Sequence, residues 1–286
     1  MIGASVDHRR VWGWSQTTGN RIRAGWERRR ASLFDDGVLP PVQGPAPRIV
    51  STAADGTFIH SRDGPVEVKL GVWWTGARRA GPRRYLLQGK GYYASTEPAD
   101  LFGQTFYCLA EEATGLSRAR EVFYVGDGAG WVGSLPAEWL CPTAVQLDHF
   151  HGRLRIRELA RDPQRAARWW GYVATHTLEA LGRSLAHSIG AGQVDPKAGE
   201  DLLGYFRRGA AALDTYLGLR EAGHSAQMAP RGSGVIEHGV DLVVARRFKR
   251  QGMRSWSREG ADNLLAARVL AMDPGAWRAF WGESLM

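Results

Sequence analysis

The sequence has few cysteines and no long hydrophobic run. Its 286 residues include only Cys108 and Cys141, which excludes a disulfide scaffold and a cysteine-rich zinc module and is typical of a reducing compartment. No apolar segment approaches the roughly 20 residues of a membrane helix, and residues 1–10 lack the apolar core of a signal peptide. We therefore expect a cytoplasmic protein without a membrane partner.

Lysine is also scarce, whereas arginine is abundant. Of 37 basic residues only four are lysines, so 33 are arginines, and the formal net charge is +8. Arginine binds phosphate through two parallel hydrogen bonds. Because 44% of the residues are hydrophobic, the chain can also bury a real core. A basic, arginine-rich globular protein makes nucleic acid the first partner to test.

The hydrophobic pattern predicts an α/β protein. Alternating apolar residues indicate strands over residues 48–60, 66–74, 83–95, 122–125 and 143–147. Helical periodicity covers residues 97–115, and a short helix is expected between the last two strands. Residues 1–34 are interpreted as two helices separated at Gly19-Asn20, and a glycine- and arginine-rich loop is expected after the second strand.

This order of elements predicts a five-stranded mixed sheet with flanking helices and an all-helical insertion. We assign residues 1–46 to an N-terminal helical segment with a proline-rich linker, and residues 47–150 to the first part of the core. Residues 151–230 show helical periodicity without strand signals and form the predicted insertion. Residues 231–286 would supply the C-terminal helices of the core.

Three acidic residues lie where this order of elements would bring them together. Asp55 is within the first strand, Asp127 follows the fourth strand, and Glu237 is near the start of a late helix. Three converging carboxylates can hold two Mg²⁺ or Mn²⁺ ions about 4 Å apart. Taken singly, each residue has a plainer interpretation, because Asp-Gly commonly forms a turn and a glutamate near a helix start favours the helix dipole.

Several strings of this sequence resemble bacterial insertion-sequence transposases of the DDE type, whose catalytic core is ribonuclease-H-like. The most specific string is GSGVIE at 232–237, followed by Arg247, by GMRSWS at 252–257 and by GADN at 260–263. The strings DGT at 55–57 and GDGAGW at 126–131 resemble the two aspartate motifs of that family. Asp148-x-x-His151 resembles a motif of related transposases, and the whole resemblance covers roughly residues 48–280.

The resemblance implies a ribonuclease-H-like fold in which Asp55, Asp127 and Glu237 form the catalytic, metal-binding triad for two Mg²⁺ or Mn²⁺ ions. It implies metal-dependent cleavage of double-stranded DNA at transposon ends and strand transfer to a target. It further implies a homo-oligomer on DNA and a bacterial, nucleoid-associated location. Members of that family are usually longer, with an N-terminal DNA-binding region.

A basic segment follows Glu237. No acidic residue lies between Leu242 and Arg258, and the predicted DNA-binding residues of this segment are Arg246, Arg247, Lys249, Arg250, Arg254 and Arg258. Such a segment can track a phosphate backbone, although a solvated helix face has the same composition. Trp131, four residues past Asp127, either contacts DNA or packs in the core.

Asp148 and His151 follow the fifth predicted strand. They can orient DNA or a neighbouring carboxylate, or form a purely structural pair. His149 and His151 suggest a zinc pair, but no cysteine cluster completes four ligands.

Two other functions stay open at this point. One is a non-catalytic DNA-binding regulator or remnant of a transposase. The other is a metal-dependent, structure-specific nuclease of the same fold. The sequence contains neither a nucleophile elbow nor a phosphate-binding loop motif, so other hydrolase and nucleotide-binding chemistries lack support.

Overall fold

The first described element is a single long helix. In the computed structural model, which describes residues 7–42, 44–82, 84–128, 130–250 and 255–284, α1 spans His8–Phe34. Asp7 caps this helix, since its carboxylate accepts a hydrogen bond from the backbone N–H of Arg9 at 3.2 Å. No helix within the described residues combines the length and the apolar composition needed to cross a membrane.

A five-stranded mixed sheet forms the centre of the fold. Its strands are β1 (Ile49–Ser61), β2 (Gly64–Trp74), β5 (Gly91–Ser95), β6 (Glu121–Gly126) and β7 (Ala144–Leu147), in the spatial order β5-β2-β1-β6-β7. The pairs β1–β2 and β2–β5 are antiparallel, whereas β1–β6 and β6–β7 are parallel. This confirms the predicted five-stranded mixed sheet.

A β-hairpin replaces the expected loop after β2. β3 (Gly76–Gly81) pairs antiparallel with β4 (Arg84–Gln88) in a separate two-stranded sheet. The predictions of a loop here and of one strand over residues 83–95 were therefore wrong. The reason is that the chain turns at Gly89, which has a φ of +57°, and starts β5 two residues later.

Helices cover both faces of the sheet. On one face α2 (Ala99–Thr114) packs so closely that Phe106 fills the space beside Gly71. On the other face α9 (Gly234–Gly239) approaches through Gly239, which lies against Leu70 and Tyr92. The remaining helices near the sheet are α3 (Gly130–Leu135), α8 (Thr215–Glu221), α10 (Arg246–Phe248), α11 (Arg258–Ala271) and α12 (Pro274–Ser284).

A helical layer between β7 and α8 has its own hydrophobic cluster. Its helices are α4 (His149–Ala160), α5 (Pro163–Ala174), α6 (Leu178–Gly190) and α7 (Pro196–Gly209). Trp169, Phe206 and Ile156 are fully buried in this second cluster. Leu219 of α8 belongs to the main core instead, so the chain has returned to the sheet by that residue.

The prediction that Gly19-Asn20 separates two helices was wrong. Helix α1 continues through both residues because Gly19 is a packing position: a Cβ atom there would lie 1.9 Å from the backbone oxygen of Asn263 in α11. Gln16 extends this contact by donating to the carbonyl of Gly260 at 3.2 Å. The missing side chain therefore allows two helices to meet closely and does not end the helix.

Gly19→Ala should destabilise the protein by about 1–3 kcal/mol, because the new methyl group forces α1 away from α11. The matched control is Gly13→Ala in the same helix, where nothing lies within 4 Å of the added Cβ. That change should stabilise by about 0.5–1 kcal/mol, since alanine loses less backbone entropy in a helix. Urea unfolding measures both, and equal effects of the two substitutions would contradict the close contact.

Candidate active site

Three neighbouring parallel strands each carry an aspartate at the same level. Ala53 of β1 pairs with Val125 of β6, and Asp55 and Asp127 each lie two residues further along their chains. Gly126 pairs with Leu147 of β7, and Asp148 follows at once. Because the carboxyl ends of parallel strands meet at one edge of a sheet, the register alone brings these carboxylates together.

The other two acids of the predicted triad act on Asp55. Burial is the main cause that raises the pKa of Asp55 to about 6, and the negative charges of Asp127 and Glu237 contribute to the same rise. The backbone N–H of Gly56, which donates to the Asp55 carboxylate at 2.7 Å, and the nearby His151 work in the opposite direction. The three acids therefore share one electrostatic environment, which a cation would stabilise.

Asp148 holds the start of α4 and the ring of His151. It is fully buried, and its carboxylate accepts hydrogen bonds from the backbone N–H of Phe150 and from Nδ1 of His151, each at 2.7 Å, and from Ser233. Burial opposes ionisation, but these hydrogen bonds outweigh it and lower the pKa of Asp148. Both oxygens of Asp148 are therefore already engaged by the protein.

His151 is correspondingly favoured in its protonated form. Its hydrogen bond to Asp148 raises its pKa against the effect of burial, and the charges of Asp148, Asp127 and Glu237 act in the same direction. Since Nδ1 faces Asp148, the orientation of the ring is fixed and Nε2 is the nitrogen left for the site.

Ser233 connects this pair to Glu237. Its hydroxyl contacts the Asp148 carboxylate and lies 3.0 Å from Oε1 of Glu237. A hydroxyl has one proton, so it can donate to only one of the two carboxylates at a time. The ligand atoms of Asp148, His151 and Glu237 all lie within 4.8 Å of one another, a spacing at which a cation can be shared.

The helix that carries Glu237 changes its pitch directly afterwards. The chain continues from α9 through a π-helical segment, Val240–Ala245, into α10. The side chain of Arg268 in α11 donates to the carbonyls of Val243, at 2.9 Å, and of Leu242. These bonds satisfy carbonyls within the irregular turn, which fixes α9 and hence the position of Glu237.

The helical layer reaches the loop that contains Asp127. Tyr205 of α7 donates to the backbone oxygen of Asp127 at 2.7 Å. Arg155 of α4 lies 3.9 Å from the Asp127 carboxylate, and its guanidinium stacks 4.5 Å from the ring centre of Tyr205. Both side chains therefore position Asp127 from the side opposite to β1.

Of the two roles that the sequence suggested for Trp131, contact with DNA or packing in the core, its contacts fit packing. Its indole N–H donates to the carboxylate of Glu67 at 3.0 Å, its ring packs edge-on against Phe102 at 5.1 Å, and Lys69 lies over its face. The residue is only partly exposed, and its polar atom is already used. These contacts favour a structural interpretation over the predicted contact with DNA.

The basic side chains of the predicted DNA-binding segment have different surroundings. Arg246 forms an exposed ion pair with Asp241 at 2.8 Å, Arg247 lies over the ring of Trp256, and Lys249 contacts the hydroxyl of Thr57. The side chains of Arg250 and Arg258 are exposed, whereas Arg254 lies outside the described residues. The positive charge most available to phosphate is thus that of Arg250 and Arg258.

Ser233, Arg155 and Tyr205 were missed in the sequence. Ser233 lay inside a quoted motif, but its contact with Asp148 depends on the packing of α9 beside α4. Arg155 follows His151 by four residues and so shares its helix face, which is the one signal available beforehand. Nothing in the sequence around Tyr205 indicates its contact with Asp127.

Comparison with known proteins places the chain in a family. Residues 43–284 match the model of the family described as Uncharacterised protein family (UPF0236), and since this is most of the chain, the protein belongs to that family. No curated protein matches the chain.

The metal-free protein should lose stability as the pH rises from about 4 to about 6. The folded protein holds the Asp55 proton more tightly than the unfolded chain does, so ionisation in this window costs folding free energy. Asp55→Asn should flatten this part of the profile of unfolding free energy against pH, measured in EDTA. Asp35→Asn, at the end of α1, is the control and should keep the wild-type profile.

Proposed function

We propose that this protein is a DDE-type transposase that cleaves DNA strands at transposon ends and transfers them to a target, on a ribonuclease-H-like core. The observation that carries the proposal is the strand register, by which Asp55 and Asp127 lie at the same level of the adjacent strands β1 and β6, with Glu237 of α9 near enough to raise the pKa of Asp55. The sheet order β5-β2-β1-β6-β7 is compatible with that core. The motif resemblance of the chain supplies the reaction class.

The residues present fit divalent metal ions. Asp55, Asp127 and Glu237 offer hard oxygen ligands of the kind that Mg²⁺ and Mn²⁺ prefer. Burial is the largest cause of the raised pKa of Asp55, and the nearby charges of Asp127 and Glu237 add to it, so a cation held here would stabilise the ionised carboxylates. Two bound ions would activate the attacking oxygen and stabilise the leaving oxygen at the phosphodiester. Asp148 is less suited as a ligand, because the protein already uses both of its oxygens.

The reaction has two steps of the same kind. In the first, a water oxygen bonds to phosphorus, the bond to the 3′-oxygen breaks, and a 3′-hydroxyl results. In the second, this hydroxyl attacks a target phosphodiester, whose own 3′-oxygen leaves. Neither step requires a covalent enzyme intermediate, which is consistent with a site of carboxylates without a recognisable nucleophile motif.

The remaining side chains of the site have positioning roles in this proposal. Asp148 holds the imidazolium of His151, whose positive charge can meet a phosphate oxygen beside the carboxylates. Ser233 lies between Asp148 and Glu237, and its hydroxyl can donate to either carboxylate. Arg155 and Tyr205 hold the loop of Asp127 in place from the helical layer.

The partner is double-stranded DNA, as both transposon end and target. The net charge of +8 and the exposed Arg250 and Arg258 support binding to its phosphates. We further propose assembly of several copies on DNA and a location at the bacterial nucleoid, both of which follow from the proposed reaction. A non-catalytic regulator would need no converging acids, and a structure-specific nuclease would give no strand-transfer product.

Asp127→Asn should lower Mg²⁺-dependent cleavage of DNA by about a thousandfold or more while DNA affinity stays within a few-fold of wild type. The change keeps the shape and removes a charge that the metal ions need, and several kcal/mol of transition-state stabilisation correspond to this factor. Asp35→Asn is the control and should cleave normally. Nicking of supercoiled plasmid measures activity, and wild-type nicking by Asp127→Asn would refute the role of Asp127.

Arg250→Gln with Arg258→Gln should flatten the dependence of DNA affinity on salt by about one to two units on a log–log plot. Each phosphate contact contributes about 0.9 to that slope. Arg246→Gln should change the slope less, because Asp241 already pairs with Arg246. Fluorescence anisotropy over a salt series gives the slopes. If the single Arg246 variant had the larger effect, the DNA path would run along the other side of α10.

A further inference from the structure

The hairpin β3–β4 forms a two-stranded ribbon that is separate from the main sheet. At its base the backbone N–H of Thr75 donates to the carbonyl of Gln88 at 3.0 Å. Ala77 and Leu87 form a cross-strand pair and pack against the main core. The base of the ribbon is therefore held against the core, and its two paired strands extend outward from there.

One face of the ribbon is basic and exposed. Arg78 pairs with Leu86, and Arg84 lies two residues from Leu86 in the same strand, so the three side chains share a face. The opposite face is the one through which Ala77 and Leu87 pack on the core. Arg78 and Arg84 thus project into solvent on the side that the protein does not cover.

The ribbon contains no acidic residue to balance this charge. None occurs between Glu67 and Glu97, a stretch whose basic residues are Lys69, Arg78, Arg79, Arg83, Arg84 and Lys90. Within the described part of the chain, neither Arg78 nor Arg84 takes part in an ion pair. Arg79 differs, because it donates to the carbonyls of Gly81 and Pro82 and so stiffens the tip.

We propose that this ribbon is a second DNA-binding surface, which holds the phosphate backbone of double-stranded DNA that flanks the cleavage site. That the bound polyanion is DNA rests on the proposed function. Two strands about 4.8 Å apart, with their side chains, match the roughly 12 Å width of the DNA major groove.

The ribbon contacts DNA at a distance from the carboxylates. Leu70 of β2 pairs with Asp55, and β3 begins six residues later at Gly76. At about 3.3 Å per residue this separation is roughly 20 Å along the strand, more than half of the roughly 34 Å turn of DNA. The ribbon therefore increases affinity for DNA without touching the reacting phosphate.

Exposed charges on a ribbon edge also have a purely protective explanation. They keep a free strand edge from pairing with another chain. The two explanations differ in one measurable respect, since only phosphate contacts change how DNA affinity responds to salt.

The test is the double variant Arg78→Gln with Arg84→Gln, in the full-length protein, against a random-sequence duplex labelled for anisotropy and without metal. The salt slope should fall by about one to two units, because two phosphate contacts are lost. Wild type should then lose about tenfold more affinity than the variant between about 50 and 200 mM salt, at about threefold per contact. Cleavage at saturating DNA in Mg²⁺ should stay at the wild-type rate.

Two controls separate phosphate contact from general charge and from folding. Arg168→Gln with Arg183→Gln removes the same charge from exposed positions of α5 and α6 and should leave the slope nearly unchanged. Arg78→Lys with Arg84→Lys keeps the charge and should restore the slope. An unchanged slope in the first variant, or equal losses in the helical control, would overturn the proposal. Since affinity is measured without metal, the outcome does not depend on whether the protein cleaves DNA.

Discussion

The parallel pairing of β6 with β1 on one side and with β7 on the other determines where the chemistry of this protein can occur. The register aligns Asp55, Asp127 and Asp148 at the same edge of the sheet. A bond from the backbone N–H of Asp148 to the carbonyl of Gly126 extends that alignment beyond the last paired residues. A shift of one residue in either pair would turn one aspartate to the opposite face, so the site and the core depend on the same register.

Much of this arrangement could be predicted from the sequence, because strands and turns leave local signals. The alternation over residues 66–74 indicated β2, and the order of elements predicted the five-stranded mixed sheet. Gly19 was misinterpreted because a helix-breaking residue and a packing glycine look alike until the partner helix is known. The ribbon β3–β4 was missed because it has few buried apolar residues, so it shows no hydrophobic alternation.

The candidate site could be predicted only in part from the sequence, for a different reason. The acids could be proposed from their positions relative to strands and a helix, which are local features. Their supporting contacts come from segments far apart in the chain, as with Ser233 and Asp148, or Tyr205 and Asp127. Such contacts depend on how a helical layer with its own core docks beside the sheet, and no local pattern in the sequence encodes that docking.

Under the proposed function, the arginines that would bind DNA and the carboxylates that would carry out the reaction lie on different elements. The basic ribbon and the exposed Arg250 and Arg258 would bind DNA phosphates in that function, and they lie on elements other than the strands that bear the carboxylates. If those arginines contacted the acids directly, they would neutralise the ligands that a metal requires. Arg155 is the exception, but at 3.9 Å from Asp127 and stacked on Tyr205 it is held beside the carboxylate without a close hydrogen bond. Under the proposed function, a divalent ion held by Asp127 would compete with this contact through its higher charge, and the guanidinium of Arg155 would then be available for a phosphate.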